Sequence, residues 1–303
     1  MNKKIAFIFP GQGSQYVGMN TSKTNLIEIS KEVYSQSYEI LNYDIEILID
    51  KGPSYKLNET CYTQPAIFIQ SIIYNKYLDS INILPSATAG HSLGEYSALV
   101  SAKALSFKDA LNIVKIRAEA MHMAGTKKPG MMAAVIGANN EQIDLICNQK
   151  GIVVPANYNS KNQVVISGEV NAVNAAIKTG KENGIRKIIP LKVSAAFHSP
   201  LMKNARKSLE KVIKSTNFKN TNIPIYQNVD AKETTDGETI KINLIKQLEN
   251  PVLWYQTIEN MHKNNYNYFL EVGPSKVLSN LNKKILPDAS TDNIENKLEY
   301  ENV

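Results

Sequence analysis

The stretch Gly90-His91-Ser92-Leu93-Gly94 constrains the fold more than any other part of the chain. It ends a short run, Ser86–His91, that reads as a strand. It opens a run from Leu93 to about Ala102 that reads as a helix. A chain that passes from strand to helix through one serine turns so sharply that the positions two before and two after it are crowded, which is why both are glycine. Such a turn belongs to α/β architecture. It thrusts the serine hydroxyl out of the fold and aims the positive end of the helix at it. The competing reading is a chance occurrence of the pattern in a plain turn, against which the strand–turn–helix context speaks.

The rest of the chain is organised around that turn. Lys3–Phe9 reads as a buried strand that breaks at Pro10-Gly11, and helical stretches follow near 22–41 and 64–79, the second with Pro65 in its first turn. Ser106 caps a further helix, with Asp109 three residues on and Gly125 as its stop, and Lys127-Lys128-Pro129-Gly130 marks a boundary. Next come a strand at Met131–Ile136, a helix at Asn139–Gln149, strands at Ile152–Ala156 and Gln163–Ser167, a helix at Glu169–Asn183 and a strand at Arg186–Leu191. This βαββαβ order is that of a ferredoxin-like unit. Then follow a helix from Pro200, a strand at Ile223–Val229, helices near 240–249 and 254–264, a strand at Tyr268–Val272 and a helix at Ser275–Ile285. The expectation is an α/β-hydrolase-like main domain (1–126 and 193–287) with a parallel sheet and a nucleophile elbow, interrupted by a ferredoxin-like subdomain (127–192). Residues 288–303, polar and acidic, are expected to be disordered.

Several function classes recede on composition. No apolar run approaches the roughly 20 residues of a membrane span, and the opening residues read as a first strand rather than a signal peptide. Cys61 and Cys147 belong to no CxxC pair or Cys/His cluster in the sequence, so neither a disulfide scaffold nor a structural zinc is expected and reduced, cytoplasmic thiols are the default. Of 34 basic residues only Arg117, Arg186 and Arg206 are arginines, which is weak evidence for nucleic acid despite a net charge of +6. The last sixteen residues carry −4, which leaves residues 1–287 at +10, a sign that suits an acidic partner.

The chemistry centres on Ser92. An oxyanion formed by its attack gains from the N–H of Leu93, one such donor being worth about 3 kcal/mol. A serine needs a base. His91 adjoins it and should point away; His122 and His262 fall on solvated helix faces. His198 follows the apolar run Val193-Ser194-Ala195-Ala196-Phe197 and precedes Ser199-Pro200, where α/β sites gather. It is the favoured base, with a satisfied core histidine as the alternative. Arg117 shares a helical stripe with Ala110, Ile113, Val114, Ala120, Met121 and Ala124. A guanidinium there is expensive unless its stem snorkels to water or it meets an anion: either an internal acid or, with a nucleophile one helix upstream, a substrate carboxylate held bidentately. Pro10-Gly11-Gln12-Gly13-Ser14-Gln15 lacks the third glycine of a dinucleotide loop. It is either a plain turn or the source of a second oxyanion donor, the N–H of Gln12.

Seven segments together resemble the malonyl-CoA:acyl carrier protein transacylase family. They are Phe9–Gln15, Tyr62-Thr63-Gln64-Pro65-Ala66, Gly90–Glu95, Asn157-Tyr158-Asn159 with Val164–Gly168, Ala196-Phe197-His198-Ser199-Pro200-Leu201-Met202, Gln247–Val252 with Trp254, and Glu271-Val272-Gly273-Pro274. The resemblance implies that Ser92 is acylated, His198 is its base, Arg117 binds the malonyl carboxylate, and Gln12 and Leu93 form the oxyanion hole. It further implies that the main-chain carbonyl of Gln247 orients the histidine, making a dyad. Ala118 and His122 depart from the residues frequent at those positions, glycine and glutamine. The expected activity is malonyl transfer from malonyl-CoA to acyl carrier protein, without metal or other cofactor and without nucleic acid or membrane partners. Alternatives are a stand-alone acyltransferase of a polyketide synthase, a serine esterase or thioesterase, and a non-catalytic binding module.

Overall fold

The computed structural model describes residues 4–19, 26–193 and 195–300. Its larger sheet grows from β1 (Ile5–Phe9), which pairs in parallel with β2 (Ala87–Gly90) on one side. Between them run α1 (Ile27–Leu41), α2 (Ile45–Lys51), α3 (Ser54–Leu57) and α4 (Thr60–Ser80). The apolar run of β1 is explained by burial on both faces. Phe7 and Phe9 enter a core with Phe68, Leu99 and Val114, while Ala6 and Ile8 enter a second core with Trp254 and Phe269. The register Phe9↔Gly90 ends the two strands level, so the loop after β1 meets the turn at Ser92. Beyond that turn come α5 (Gly94–Ser101) and α6 (Phe107–Lys127).

The smaller sheet is antiparallel. It comprises β3 (Gly130–Ile136), β4 (Val153–Ser160), β5 (Gln163–Glu169) and β6 (Lys187–Pro190) in the order β4-β5-β3-β6, with α7 (Asn140–Cys147) and α8 (Val170–Glu182) packed on it around Val135, Ile146, Ile166 and Val173. The chain then returns to the larger sheet through α9 (Lys203–Ser215), β7 (Ile225–Tyr226), β8 (Glu233–Thr234), α10 (Gly237–Lys246), α11 (Trp254–Lys263), β9 (Tyr268–Glu271), α12 (Val277–Ile285), β10 (Ser290–Asn293) and α13 (Ile294–Tyr300). The large-sheet order is β10-β9-β1-β2-β7-β8, parallel except for the β7–β8 pair. The two sheets are stitched together where Tyr158 N–H donates to Val252 O (2.9 Å) and Val252 N–H to Ala156 O (2.9 Å). Among the described residues no helix is long and apolar enough to cross a membrane.

The expectation of a disordered tail is overturned. Residues 290–293 add a parallel edge strand beside β9, and Ile294 and Leu298, one helical turn apart, are buried. The Glu295 carboxylate accepts from Tyr16 Oη (2.8 Å) and from the Ser275 N–H (3.0 Å). Two apolar residues at helical spacing outweigh an acidic composition; residues 301–303 lie outside the described residues, as does the beginning of the helix expected from 22. Gly125 is no stop either: α6 runs to Lys127 with Gly125 buried inside it. The strand expected over 223–229 shrinks to Ile225–Tyr226.

The glycines around Ser92 are dictated by sterics. A Cβ on Gly94 would lie 1.9 Å from Phe9 O, and one on Gly90 would lie 2.0 Å from Gly94 C. Both obstacles are backbone, so neither can swing aside. Gly94→Ala is expected to cost more than about 4 kcal/mol of stability, measured by urea unfolding; an unchanged midpoint would show that α5 can lift away from β1 freely.

Candidate active site

Ser92 stands in the left-handed region (φ 52°) between β2 and α5, and His198 adopts φ 56°. Non-glycine residues persist there only when their surroundings over-determine them. For Ser92 the surroundings are Asn228, whose Oδ1 accepts the Ser92 N–H (2.7 Å) and whose Nδ2 donates to Gly90 O (2.6 Å). Ser92 Oγ lies 2.7 Å from His198 Nε2. His198 Nδ1 faces two carbonyls, Gln247 O (2.9 Å) and Asn250 O (3.2 Å). Carbonyls only accept, so Nδ1 carries the proton and Nε2 accepts from the serine hydroxyl. Burial, and then the nearby Arg117 guanidinium, pull the His198 pKa down to about 3, which keeps the ring neutral. The short helix Gln247–Glu249 that presents the carbonyl is braced by an ion pair between Glu249 and Arg206 of α9.

Arg117 is 1% exposed. Its NH2 group donates to Ser92 Oγ (2.9 Å) and to Gln247 Oε1 (3.1 Å), its NH1 group donates to Gln64 Oε1 (2.7 Å), and among the described residues its Nε–H meets no carboxylate. The guanidinium also lies over the Tyr96 ring, 5.4 Å from its centroid. Among the described residues no carboxylate pairs with it directly.

The expected site residues thus converge. Ser92, Leu93, Gln12, Arg117 and His198 line one cavity of about 120 Å³, closed off by Met121, Met132 and Phe197. Gln247 adjoins it through both its carbonyl and its side chain. No protein acceptor takes the main-chain N–H of Gln12 or Leu93 among the described residues. His122 and His262 are exposed, and His91 turns from Ser92 to reach Asn159 Oδ1 (2.9 Å). A roomier cleft of about 280 Å³ near Asp79, Lys103 and Asn220 holds no nucleophile–base pair.

Sequence reasoning passed over Gln64, Asn228 and Glu95. Gln64 and Glu95 lie within the family-like segments with no local signal of a role, whereas Asn228 lies in an unremarkable run before Asp230. It also kept Cys61 apart from any Cys/His cluster. In the fold Cys61, Glu59 and His122 come together, their ligand atoms within 4.8 Å of one another, because α4 packs on α6.

Residues 6–296 match the family described as "Acyl transferase domain". The malonyl CoA-acyl carrier protein transacylase of Haemophilus influenzae is 41% identical over 291 residues, 94% of this chain and 93% of that protein. The chain belongs to the malonyl-CoA:acyl carrier protein transacylase family. Solved members are superposable on it throughout. The malonyl-CoA:acyl carrier protein transacylase from Xanthomonas oryzae pv. oryzae has a TM-score of 0.94 at 34% identity, covering 99% of this chain and 97% of that one. A malonyl-transacylase in complex with its type II PKS acyl-carrier protein has a TM-score of 0.92 at 36% identity, covering 98% and 100%. The family fold is accordingly mixed α/β, with a parallel sheet and a separate antiparallel one.

Proposed function

We propose that this chain moves a malonyl group from malonyl-CoA to the phosphopantetheine thiol of an acyl carrier protein, through a malonyl ester on Ser92. The observation that carries this reading is the Arg117 guanidinium, buried with no carboxylate in direct contact among the described residues and 2.9 Å from Ser92 Oγ. It awaits an anion beside the nucleophile, as the malonyl carboxylate would be. His198 Nε2 takes the proton of Ser92 as Oγ attacks the thioester carbon. The tetrahedral oxyanion faces the N–H groups of Gln12 and Leu93. Collapse expels the CoA sulfur, which receives the proton from His198. In the second half His198 deprotonates the carrier thiol, the thiolate attacks malonyl-Ser92, and Ser92 regains its proton on release. Gln247 O holds the Nδ1–H throughout, so a carbonyl serves where a triad would use a carboxylate. None of these steps calls for a metal or redox cofactor.

The turn at Ser92 acts in this reading as the nucleophile elbow of a hydrolase-like main domain, residues 1–126 and 193–287. The antiparallel order β4-β5-β3-β6 supports a ferredoxin-like subdomain at 127–192. The cytoplasm is the compartment that fits reduced Cys61 and Cys147. The fold-level match to a type II PKS pair favours a second reading, in which the carrier belongs to a polyketide synthase.

Intact-mass measurement after mixing with malonyl-CoA is expected to show one malonyl adduct, mapped to Ser92, that is discharged by holo-carrier protein. An unmodified enzyme would sink the proposal. Transfer rates to a fatty-acid carrier and to a polyketide carrier separate the two acceptors.

A pH dependence follows with a definite sign. A histidine with a lowered pKa stays a competent base below the usual 6.5, so kcat/KM should hold through pH 5. A bound malonyl carboxylate cancels part of the Arg117 charge, so the acid limb of kcat should lie at higher pH than that of kcat/KM. An acid limb of kcat/KM near 6.5 would contradict the buried, cation-flanked imidazole.

A further inference from the structure

Glu95, three residues beyond Ser92, takes part in none of these steps. It is 1% exposed and, among the described residues, meets no cation directly. A carboxylate buried this deeply is costly unless its lone pairs are satisfied. Three donors satisfy it: Gln227 Nε2 (3.0 Å), the Asn228 N–H (3.0 Å) and Gln247 Nε2 (3.1 Å). Two of the three lead straight to the reacting groups. Asn228 holds both Gly90 O and the Ser92 N–H. Gln247 donates from Nε2 to Ser92 O (2.9 Å), accepts from Arg117 at Oε1 (3.1 Å), and accepts the His198 Nδ1–H at its main-chain carbonyl (2.9 Å).

We propose that Glu95 is the positioning residue of the malonyl-transfer site: through the Gln247 amide it orients Arg117 and His198 together, and it balances the guanidinium without touching it. The inference rests on the reading of Ser92, His198 and Arg117 given above. The amide of Gln247 has charge at both ends. The cation requires the oxygen and the anion requires the nitrogen, so only one orientation of the amide satisfies both. A direct Glu95–Arg117 pair would occupy the donors that a substrate carboxylate needs. With an amide between them, the positive charge is compensated while, among the described residues, no carboxylate takes up the donors of Arg117. Glu95 is thus the acid of this site, acting one residue away from the histidine rather than on it.

Glu95→Gln keeps the size, removes the charge and sets an NH2 group against donors. Three quantities are read: the rate of Ser92 acylation by malonyl-CoA, the rate of Ser92 labelling by a small fluorophosphonate, and the downfield proton resonance of His198 Nδ1–H. Both rates are expected to fall about 10- to 100-fold, and the resonance to move or broaden, in a variant whose melting temperature shows it folded. A folded variant with wild-type rates and an unmoved resonance overturns the proposal. Should Glu95→Gln not fold, Glu95→Asp keeps the charge and withdraws it by one methylene. It should lose rate several-fold and move the same resonance, and wild-type values there overturn the proposal equally. The wild-type protein runs alongside: if it forms no malonyl–Ser92, the transfer reading has failed, whereas acylation of the wild type with unaffected variants removes only the role of Glu95.

Discussion

Ser92→Ala is expected to abolish malonyl transfer, with a loss of roughly 10⁵- to 10⁶-fold. The variant keeps the fold, because the turn is held by Asn228 through the Ser92 main chain and not through the hydroxyl. It loses the atom that lies within hydrogen-bond reach of both His198 Nε2 (2.7 Å) and the Arg117 guanidinium (2.9 Å). Residual turnover would have to come from water or thiol attack on bound thioester, assisted by the oxyanion donors alone. Single-turnover mass spectrometry checks this directly. A malonyl adduct forming on the variant at the parental rate would place the nucleophile elsewhere. His198→Ala should fall by a similar factor, and the double variant should be no worse than either single one, because the two groups act as a unit.

Arg117→Ala should separate acyl groups rather than stop chemistry. A buried charge–carboxylate contact that loses one partner costs about 2–5 kcal/mol, or roughly 30- to 5,000-fold in kcat/KM for malonyl-CoA. Acetyl-CoA carries no carboxylate, so its transfer should fall far less or rise. Arg117→Lys should not restore the parent. Lysine offers a point charge that cannot serve Gln64, Gln247 and a carboxylate from one planar fork. Competition between malonyl-CoA and acetyl-CoA, read by the mass of the Ser92 adduct, measures the ratio. If malonyl preference survives the substitution, the clamp is another group. Removing the cation also relieves part of what holds the His198 pKa down, so the acid limb of acetyl transfer should move upward in this variant.

Much of this was legible in the sequence, and the reasons are local. Gly90 and Gly94 announce the turn because no other residue fits against Phe9 and α5. Arg117 announces itself because helical periodicity places a guanidinium among apolar side chains, and α6 buries that stripe as expected. His198 emerges because the other histidines fall on solvated faces or, like His91, point away from the serine. What stayed hidden was tertiary. Asn228 and Gln247 act through atoms 136 and 155 residues from Ser92, and nothing in their own neighbourhoods encodes that meeting. Glu95 lies in the first turn of the helix that follows Ser92, yet an acid in a first turn has a bland explanation in the helix dipole. The final helix failed for the opposite reason: average composition concealed the pair Ile294 and Leu298.

The seam between the sheets has a consequence for how this scaffold can change its cargo. Val252 is laced to β4, His91 is tied to Asn159, and Leu253 N–H donates to Asn228 O (2.9 Å), the residue that fixes the serine turn. Swinging the small sheet outward like a jaw would therefore wrench Ser92 out of line before it widened the chamber. Room for bulkier acyl groups has to be carved residue by residue from Met121, Met132 and Phe197, with the hinge left locked.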